Sequence, residues 1–186
     1  MADSRVASRY VKSLLGLAEE QKALEQVHAD MQLFASVCAS SHEFTNMLKS
    51  PIIKHEKKRD ILEAIFKTKV HKLTMAIIDM LTKKNREPLL PAIAIEFHNA
   101  YNHYKGIEKA SVSTAFVIDE KMKMEMETLV KKLSGKKEVE LEQKVDKSLI
   151  GGFILKVGDQ QIDASIKSKL KSLKTKFSEN PYIKEF

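Results

Sequence analysis

Cysteine is almost missing from this chain of 186 residues: Cys38 stands alone, which excludes an internal disulfide and a cysteine-based metal cluster. It falls in the apolar register of a helix and is expected to be a buried structural thiol. Long hydrophobic runs are missing too, and none approaches the roughly 20 residues of a membrane-spanning helix. The opening Met1-Ala-Asp-Ser-Arg5 has neither the apolar core of a signal peptide nor an Arg/Ser-rich presequence, so a cytosolic, bacterial chain is the expectation. Catalytic motifs are equally scarce. Six histidines are scattered without a His-Glu-x-x-His pair. His98 and His103 stand about 140° apart around a helix, too far to share a ligand. Gly151-Gly152 lacks the Gly-Lys-Ser/Thr that completes a phosphate loop, and it precedes a strand. There is no Gly-x-Ser-x-Gly elbow. The acid pairs Glu19-Glu20 and Asp119-Glu120 sit at helix ends, where capping and solvation account for them. Neither catalysis nor a metal or cofactor is expected.

What the chain does have is evenly spread charge and strong apolar periodicity. Hydrophobic residues make up 43% and charged residues 31%, the mix of an ordinary folded protein of one large domain or two small ones. The net charge of +7 divides almost equally. Residues 1–105 carry 16 Lys+Arg against 12 Asp+Glu, and residues 106–186 carry 16 against 13. A basic tail or arm is therefore absent, and most of the excess reads as solvated surface.

Up to Lys105 every strong period is helical. Helix one, about Ser4 to Glu20, places Val6, Tyr10, Leu14 and Leu17 on one stripe and Ala7, Val11, Leu15 and Ala18 on the next. At ~100° per residue the two stripes cover an arc of about 180°. Helix two, about Lys22 to Ala39, carries Leu24, Val27, Met31 and Phe34. A short turn is expected around Glu43 to Leu48, then a fourth helix on Ile61, Leu62, Ile65 and Phe66. The fifth, about Lys69 to Lys84, is apolar at Val70, Leu73, Ala76, Ile77, Ile78, Met80 and Leu81, with a narrow polar side. The sixth starts near Pro88, suited to a first turn, and carries Ile93, Phe97, Ala100, Tyr101 and Tyr104. Short connections favour antiparallel neighbours, hence a bundle of about six helices.

Gly106 ends the bundle, and the pattern changes. Ala110 to Ile118 reads as a strand, Asp119-Glu120 opens a helix, and Ser134-Gly135 closes it. Glu138 to Val145 alternates charged and apolar residues, as a half-exposed strand does. Leu149 to Val157 is another strand, with Gly151-Gly152 allowing a bulge or a close approach. Gly158-Asp159 marks a tight turn into a short strand, Gln160 to Ile162. Asp163 or Ser165 then caps a last helix bearing Ile166, Leu170, Leu173 and Phe177, a stripe expected to pack against its own domain. The fold class is α+β, with residues 1–105 a helical bundle and 106–186 a small α/β domain.

Three stretches carry a resemblance. Arg9-Tyr-Val-Lys-Ser-Leu-Leu15 is one, and Lys84-Asn-Arg-Glu-Pro-Leu-Leu-Pro-Ala-Ile93 is the second. The third runs from Ile150-Gly151-Gly152 through Gly158-Asp159 to Ile162-Asp163-Ala164-Ser165. In this order and spacing they resemble the delta subunit of F-type ATP synthase, known in mitochondria as the oligomycin-sensitivity-conferring protein. The resemblance implies a non-catalytic stator subunit, one copy per complex, peripheral on the cytoplasmic side of the cell inner membrane without entering it. It implies that a groove between helices one and five holds N-terminal helices of the alpha subunits. Its walls would be Val6, Tyr10 and Leu14 on one side and Leu73, Ala76, Ile77 and Met80 on the other. The C-terminal domain is implied to grip the b subunit of the peripheral stalk.

The alternatives are a basic nucleic-acid-binding protein or a general helical adaptor. Lys167, Lys169, Lys171, Lys174 and Lys176 surround the last stripe, but without the arginines or stacking aromatics of a nucleic-acid platform. No nucleic-acid partner is expected.

Overall fold

In the computed structural model, which describes residues 2–178, the helical periods of the first hundred residues become six helices. They are α1 (Ala2–Glu20), α2 (Leu24–Ser40), α3 (His42–Lys49), α4 (His55–Phe66), α5 (Lys72–Lys83) and α6 (Leu90–Lys105). A helical unit runs through Tyr104, and a second compact unit begins at Lys105. The expected turn at Glu43 to Leu48 is a full helix. The Ser41 hydroxyl accepts the Phe44 N–H at 3.2 Å and so satisfies one of the free donors of its first turn.

The core of the helical unit takes only part of what α1 offers. Ala7, Val11, Leu14 and Ala18 are buried, whereas Leu17 is 46% exposed and Val6 and Tyr10 are half-buried. Facing them are Val27, Met31 and Phe34 of α2, Leu62 and Phe66 of α4, Ile77, Ile78 and Leu81 of α5, and Ile93 and Phe97 of α6. Phe34, Phe44 and Phe66 pack edge-on or tilted, with centroids 5.1–6.2 Å apart. Each such side chain removed from water contributes about 1.5–3 kcal/mol. Buried polar groups fix the register. Asp30 accepts from the His71 N–H and the Thr74 hydroxyl, both at 2.7 Å, so α2 holds the first turn of α5. Lys58 of α4 pairs with Glu87 at 2.7 Å, in the 3-10 turn Glu87–Leu89 that leads into α6.

The second unit is a four-stranded mixed sheet in the order β2-β1-β3-β4. Its strands are β1 (Ile107–Thr114), β2 (Glu138–Val145), β3 (Phe153–Val157) and β4 (Gln160–Asp163). β1 and β2 are parallel, joined through α7 (Glu120–Ser134), while β1–β3 and β3–β4 are antiparallel. Ala110, Val112, Leu155 and Val157 are buried with Val130 of α7. Both neighbouring strands stop pairing at Thr114, whose hydroxyl donates to the Phe116 carbonyl at 2.7 Å. The strand expected to reach Ile118 therefore ends four residues early.

The strand expected from Leu149 also starts late. Lys147–Leu149 is a 3-10 turn, and Ile150 and Gly152 take φ of 66° and 76°, values a strand cannot accommodate. The last helix, α8 (Ile166–Ser178), departs furthest from expectation: none of its residues is buried. Ile166, Leu170, Leu173 and Phe177 are 44%, 52%, 48% and 86% exposed, so its own unit leaves about half or more of most of the stripe uncovered, although Ile166 meets Gly151.

Because the helical unit has its own apolar core, residues 1–105 expressed alone are expected to melt in one cooperative helical transition by circular dichroism. An unfolded or aggregating fragment contradicts that boundary.

Candidate functional site: an apolar groove between α1 and α5

The unburied sides of α1 and α5 lie beside each other. Between them opens a hollow of about 220 Å³ lined by Tyr10, Leu14 and Leu17 of α1 and by Leu73, Ala76, Ile77 and Met80 of α5, with Ser13 at its edge. Six of the seven residues that the resemblance implied meet here; Val6 does not line it. Leu14 and Ile77, 2% and 6% exposed, belong also to the core and form the floor. Met80, at 37%, and Tyr10 form the walls. Ser13 and Leu17 also line it, and Leu17 was already legible as the next member of the Tyr10 stripe.

A polar contact closes one edge. Arg86, just beyond α5, donates from Nη1 to the Tyr10 hydroxyl at 2.7 Å. Two of the chain's recognisable stretches, one around Tyr10 and one around Arg86, therefore meet at the same rim. Such a groove has the shape and polarity to take one face of an amphipathic helix, anchored by apolar side chains. Nothing in it can do covalent chemistry, for its polar groups are hydroxyls without a base. No cluster of three or more metal-ligating side chains occurs among the described residues.

Residues 6–177 match the family model of the ATP synthase delta (OSCP) subunit. The chain belongs to the ATP synthase delta (OSCP) subunit family. It is 41% identical to ATP synthase subunit delta of Cytophaga hutchinsonii over 179 residues, which cover 96% of this chain and 97% of that protein. It is 39% identical to ATP synthase subunit delta of Amoebophilus asiaticus over 174 residues, 94% and 95% of the two chains. Among solved structures, it shares its fold with a chain in the cryo-EM structure of the Toxoplasma gondii mitochondrial ATP synthase hexamer. The TM-score is 0.74 at 22% identity, covering 94% of this chain and 98% of that one.

In this delta-family chain the C-terminal signature builds a corner, not a pocket. Gly151 is where α8 crosses: a Cβ there would stand 2.7 Å from Cδ1 of Ile166. Gly152, at φ 76°, would bring a Cβ to 3.0 Å from the Ser165 Cα, with the Ala164 carbonyl nearer still. The Ala164 N–H reaches the Phe153 carbonyl at 2.9 Å and the Ile166 N–H the Gly151 carbonyl at 3.0 Å, which seals the crossing. Ile150 is 66% exposed, and Ile162 is 37% exposed on β4. Gly158-Asp159 makes the β3–β4 turn, Gly158 at φ 55°. Ser165 caps α8 by accepting the Ser168 N–H at 3.2 Å. Asp163 accepts the Ser168 hydroxyl at 2.5 Å and the Ser165 N–H at 2.9 Å. These bonds, that of the Ser168 hydroxyl first, hold the Asp163 carboxyl below the usual carboxylate range.

Two side-chain pairings had no signal in the sequence. His28 of α2 and His98 of α6, 70 residues apart, share a 2.9 Å hydrogen bond, and His28 stacks on Tyr101 with centroids 3.7 Å apart. Cys38 is half-buried, and burial pushes its thiol up to about 11, so it stays protonated at neutral pH.

Replacing Gly152 by Ala is expected to destabilise the second unit by about 1–3 kcal/mol, from left-handed strain and backbone overlap together, measured by urea unfolding. Asp163 titrates lower folded than unfolded, so its contribution is complete above the ordinary value of about 3.9 and is lost as pH falls through the depressed one. Below about pH 4 the melting temperature of Asp163→Asn should therefore fall less steeply than that of the natural chain. Parallel curves would remove Asp163 from the acid response.

Proposed function

We propose that this chain is a non-catalytic stator subunit of ATP synthase that joins the catalytic head to the peripheral stalk. The observation that carries the reading is the apolar groove between α1 and α5, open to water and of a size for one face of an amphipathic helix. In that groove we place an N-terminal helix of an alpha subunit. The second unit takes the b subunit of the stalk, and the lysine-flanked apolar stripe of α8, left unburied by its own domain, supports a helical partner there. One copy serves each complex and helps resist the torque of the rotor while the head makes ATP. Its place at the cell inner membrane is peripheral, on the cytoplasmic side and through its partners. No helix among the described residues is long and apolar enough to cross a bilayer. The exposed hydrophobic stripe between the α8 lysines argues for a helical protein partner over nucleic acid, which would call for stacking aromatics or a basic groove without it.

Substituting Tyr10 or Met80 by Asp places a charge at the groove wall, where water still reaches it. Either change is expected to leave the melting temperature nearly unaltered. Each should weaken calorimetric binding of an amphipathic peptide from an alpha-subunit N-terminus by about 1–3 kcal/mol, the scale of a lost anchor. Ile77→Asp, by contrast, buries an unpaired charge and should unfold the helical unit. If Tyr10→Asp and Met80→Asp both keep full peptide affinity, the groove is not the docking site.

A further inference from the structure

Among the described residues, three other than glycine take a positive φ: Lys22, Asn85 and Ile150. Lys22 and Asn85, both at 53°, follow α1 and α5, where a left-handed residue is an ordinary way to end a helix. Ile150 is different. It follows only the three-residue turn Lys147–Leu149, and its φ of 66° comes with a ψ of −40°. That lies well away from the ordinary left-handed basin, whose ψ is about +47°. Isoleucine is branched at Cβ, and branched side chains tolerate this half of the backbone map least.

Such strain persists only where the surroundings impose it. Here they do: Leu149 is buried on one side, and on the other the Gly151 carbonyl accepts the Ile166 N–H at 3.0 Å. What the surroundings do not require is an isoleucine. Its side chain is 66% exposed, so the fold gains little from it, and glycine would adopt the same backbone without strain. The residue that destabilises this turn is therefore kept for something outside the fold.

Its place says what. Ile166 fills the space beside Gly151, the next residue, and Lys167 Nζ donates to the Ser148 hydroxyl at 3.3 Å. Ile150 thus stands at the root of α8, where the stripe of Ile166, Leu170, Leu173 and Phe177 begins. The sheet face away from α7 offers that stripe no apolar cover, for Lys109, Ser111, Glu142, Lys144 and Lys156 line it. Around the stripe are five lysines and no acid. Such a flank is complemented by carboxylates on the covering surface.

We propose that Ile150 is the first anchor of a docking surface that continues along α8, and that an amphipathic helix with acid-flanked apolar residues covers it. This rests on the reading that the second unit takes a helical stalk partner. It adds an anchor whose strained backbone serves recognition rather than folding, and it fixes the charge of the partner's contact face.

The test uses the full chain and a peptide from the stalk end of the b subunit. Ile150→Gly relieves the backbone and removes the side chain. The urea midpoint of the second unit, followed at its own amides, is expected to rise, while calorimetric affinity for the peptide falls about tenfold. Ile150→Asn should move both in the same directions, since asparagine tolerates a positive φ. A purely structural residue would not raise stability and lower binding together. Lys169→Glu with Lys174→Glu, both exposed, should also cost about tenfold in affinity and flatten its salt dependence. If Ile150→Gly binds as tightly as the natural chain, or gains no stability, the anchor is refuted and the stalk reading stands. Affinity indifferent to the double charge variant refutes the acid-flanked partner. If the natural chain binds no peptide, or no amide of residues 166–178 shifts, the stalk contact at α8 itself falls. Phosphatidylserine vesicles that bind with the same dependence on Ile150 would make the stripe a lipid surface and overturn the proposal.

Discussion

The position of α5 depends on two buried carboxylates, and much of what the helical unit can do depends on α5. Asp30, 8% exposed, fixes its first turn through two 2.7 Å bonds, one to the His71 backbone and one to the Thr74 hydroxyl. Past its other end, Glu87 is held by Lys58 in a pair that is almost fully dry. Bonds to an ionised acceptor are the stronger kind. Removing one member of such a buried pair costs about 3–5 kcal/mol, since the other charge stays behind uncompensated. Well-packed apolar residues in place of a buried ion pair often give equal or greater stability. What both do is restrict α5 to one placement, because any slide along its axis would strand a charge.

That restriction decides what the groove costs to fill. α1 and α5 carry more apolar surface than their own core accepts. The surplus is divided cleanly: Ala7, Val11, Leu14 and Ala18 go inward, and Tyr10 and Leu17 stay outward beside Leu73, Ala76 and Met80. With both walls fixed in advance, a docking helix does not have to order them, and ordering cost is what separates weak from tight interfaces of equal area. Arg86 adds to this by fixing the Tyr10 ring through its hydroxyl. On the stator reading, preorganisation matters mechanically as well, for a joint that transmits torque must not yield at its contact.

Legibility followed the range of the interactions. Helices α1, α2, α5 and α6 could be read from apolar period, because period is local; that two of their stripes would face each other across a groove came from the family resemblance, not from the period. The β3–β4 turn was equally plain, and the cap of α8 was narrowed to Asp163 or Ser165, since each depends on neighbours a few residues apart. The ends of β1 and β3 were not. Apolar β-branched residues continue past Thr114 and begin before Phe153, but pairing stops where partner strands stop, and no local signal reports that. The pairs Lys58–Glu87 and His28–His98 join positions 29 and 70 residues apart, so neither is visible without the fold. The α8 stripe shows the converse. Its period correctly announced an amphipathic helix, yet period does not say whose surface the apolar face will cover.

The C-terminal signature fits the same logic. Its glycines are not there for flexibility, since the space they leave is taken by neighbouring atoms: the Ile166 side chain at Gly151 and the Ala164–Ser165 backbone at Gly152. With Ser165 capping α8 and Asp163 tied to Ser168, the first turn of that helix is locked to the sheet at its root. A helix locked at one end and unburied along its length does little for the stability of its own unit. Its five lysines, uninterrupted by any acid between Ile166 and Ser178, would only be a burden in the absence of an acidic or amphipathic partner. On the stator reading, the sequence feature most easily mistaken for a nucleic-acid arm is half of a helix–helix contact, rooted in its sheet where the space beside two glycines is already taken by neighbouring atoms.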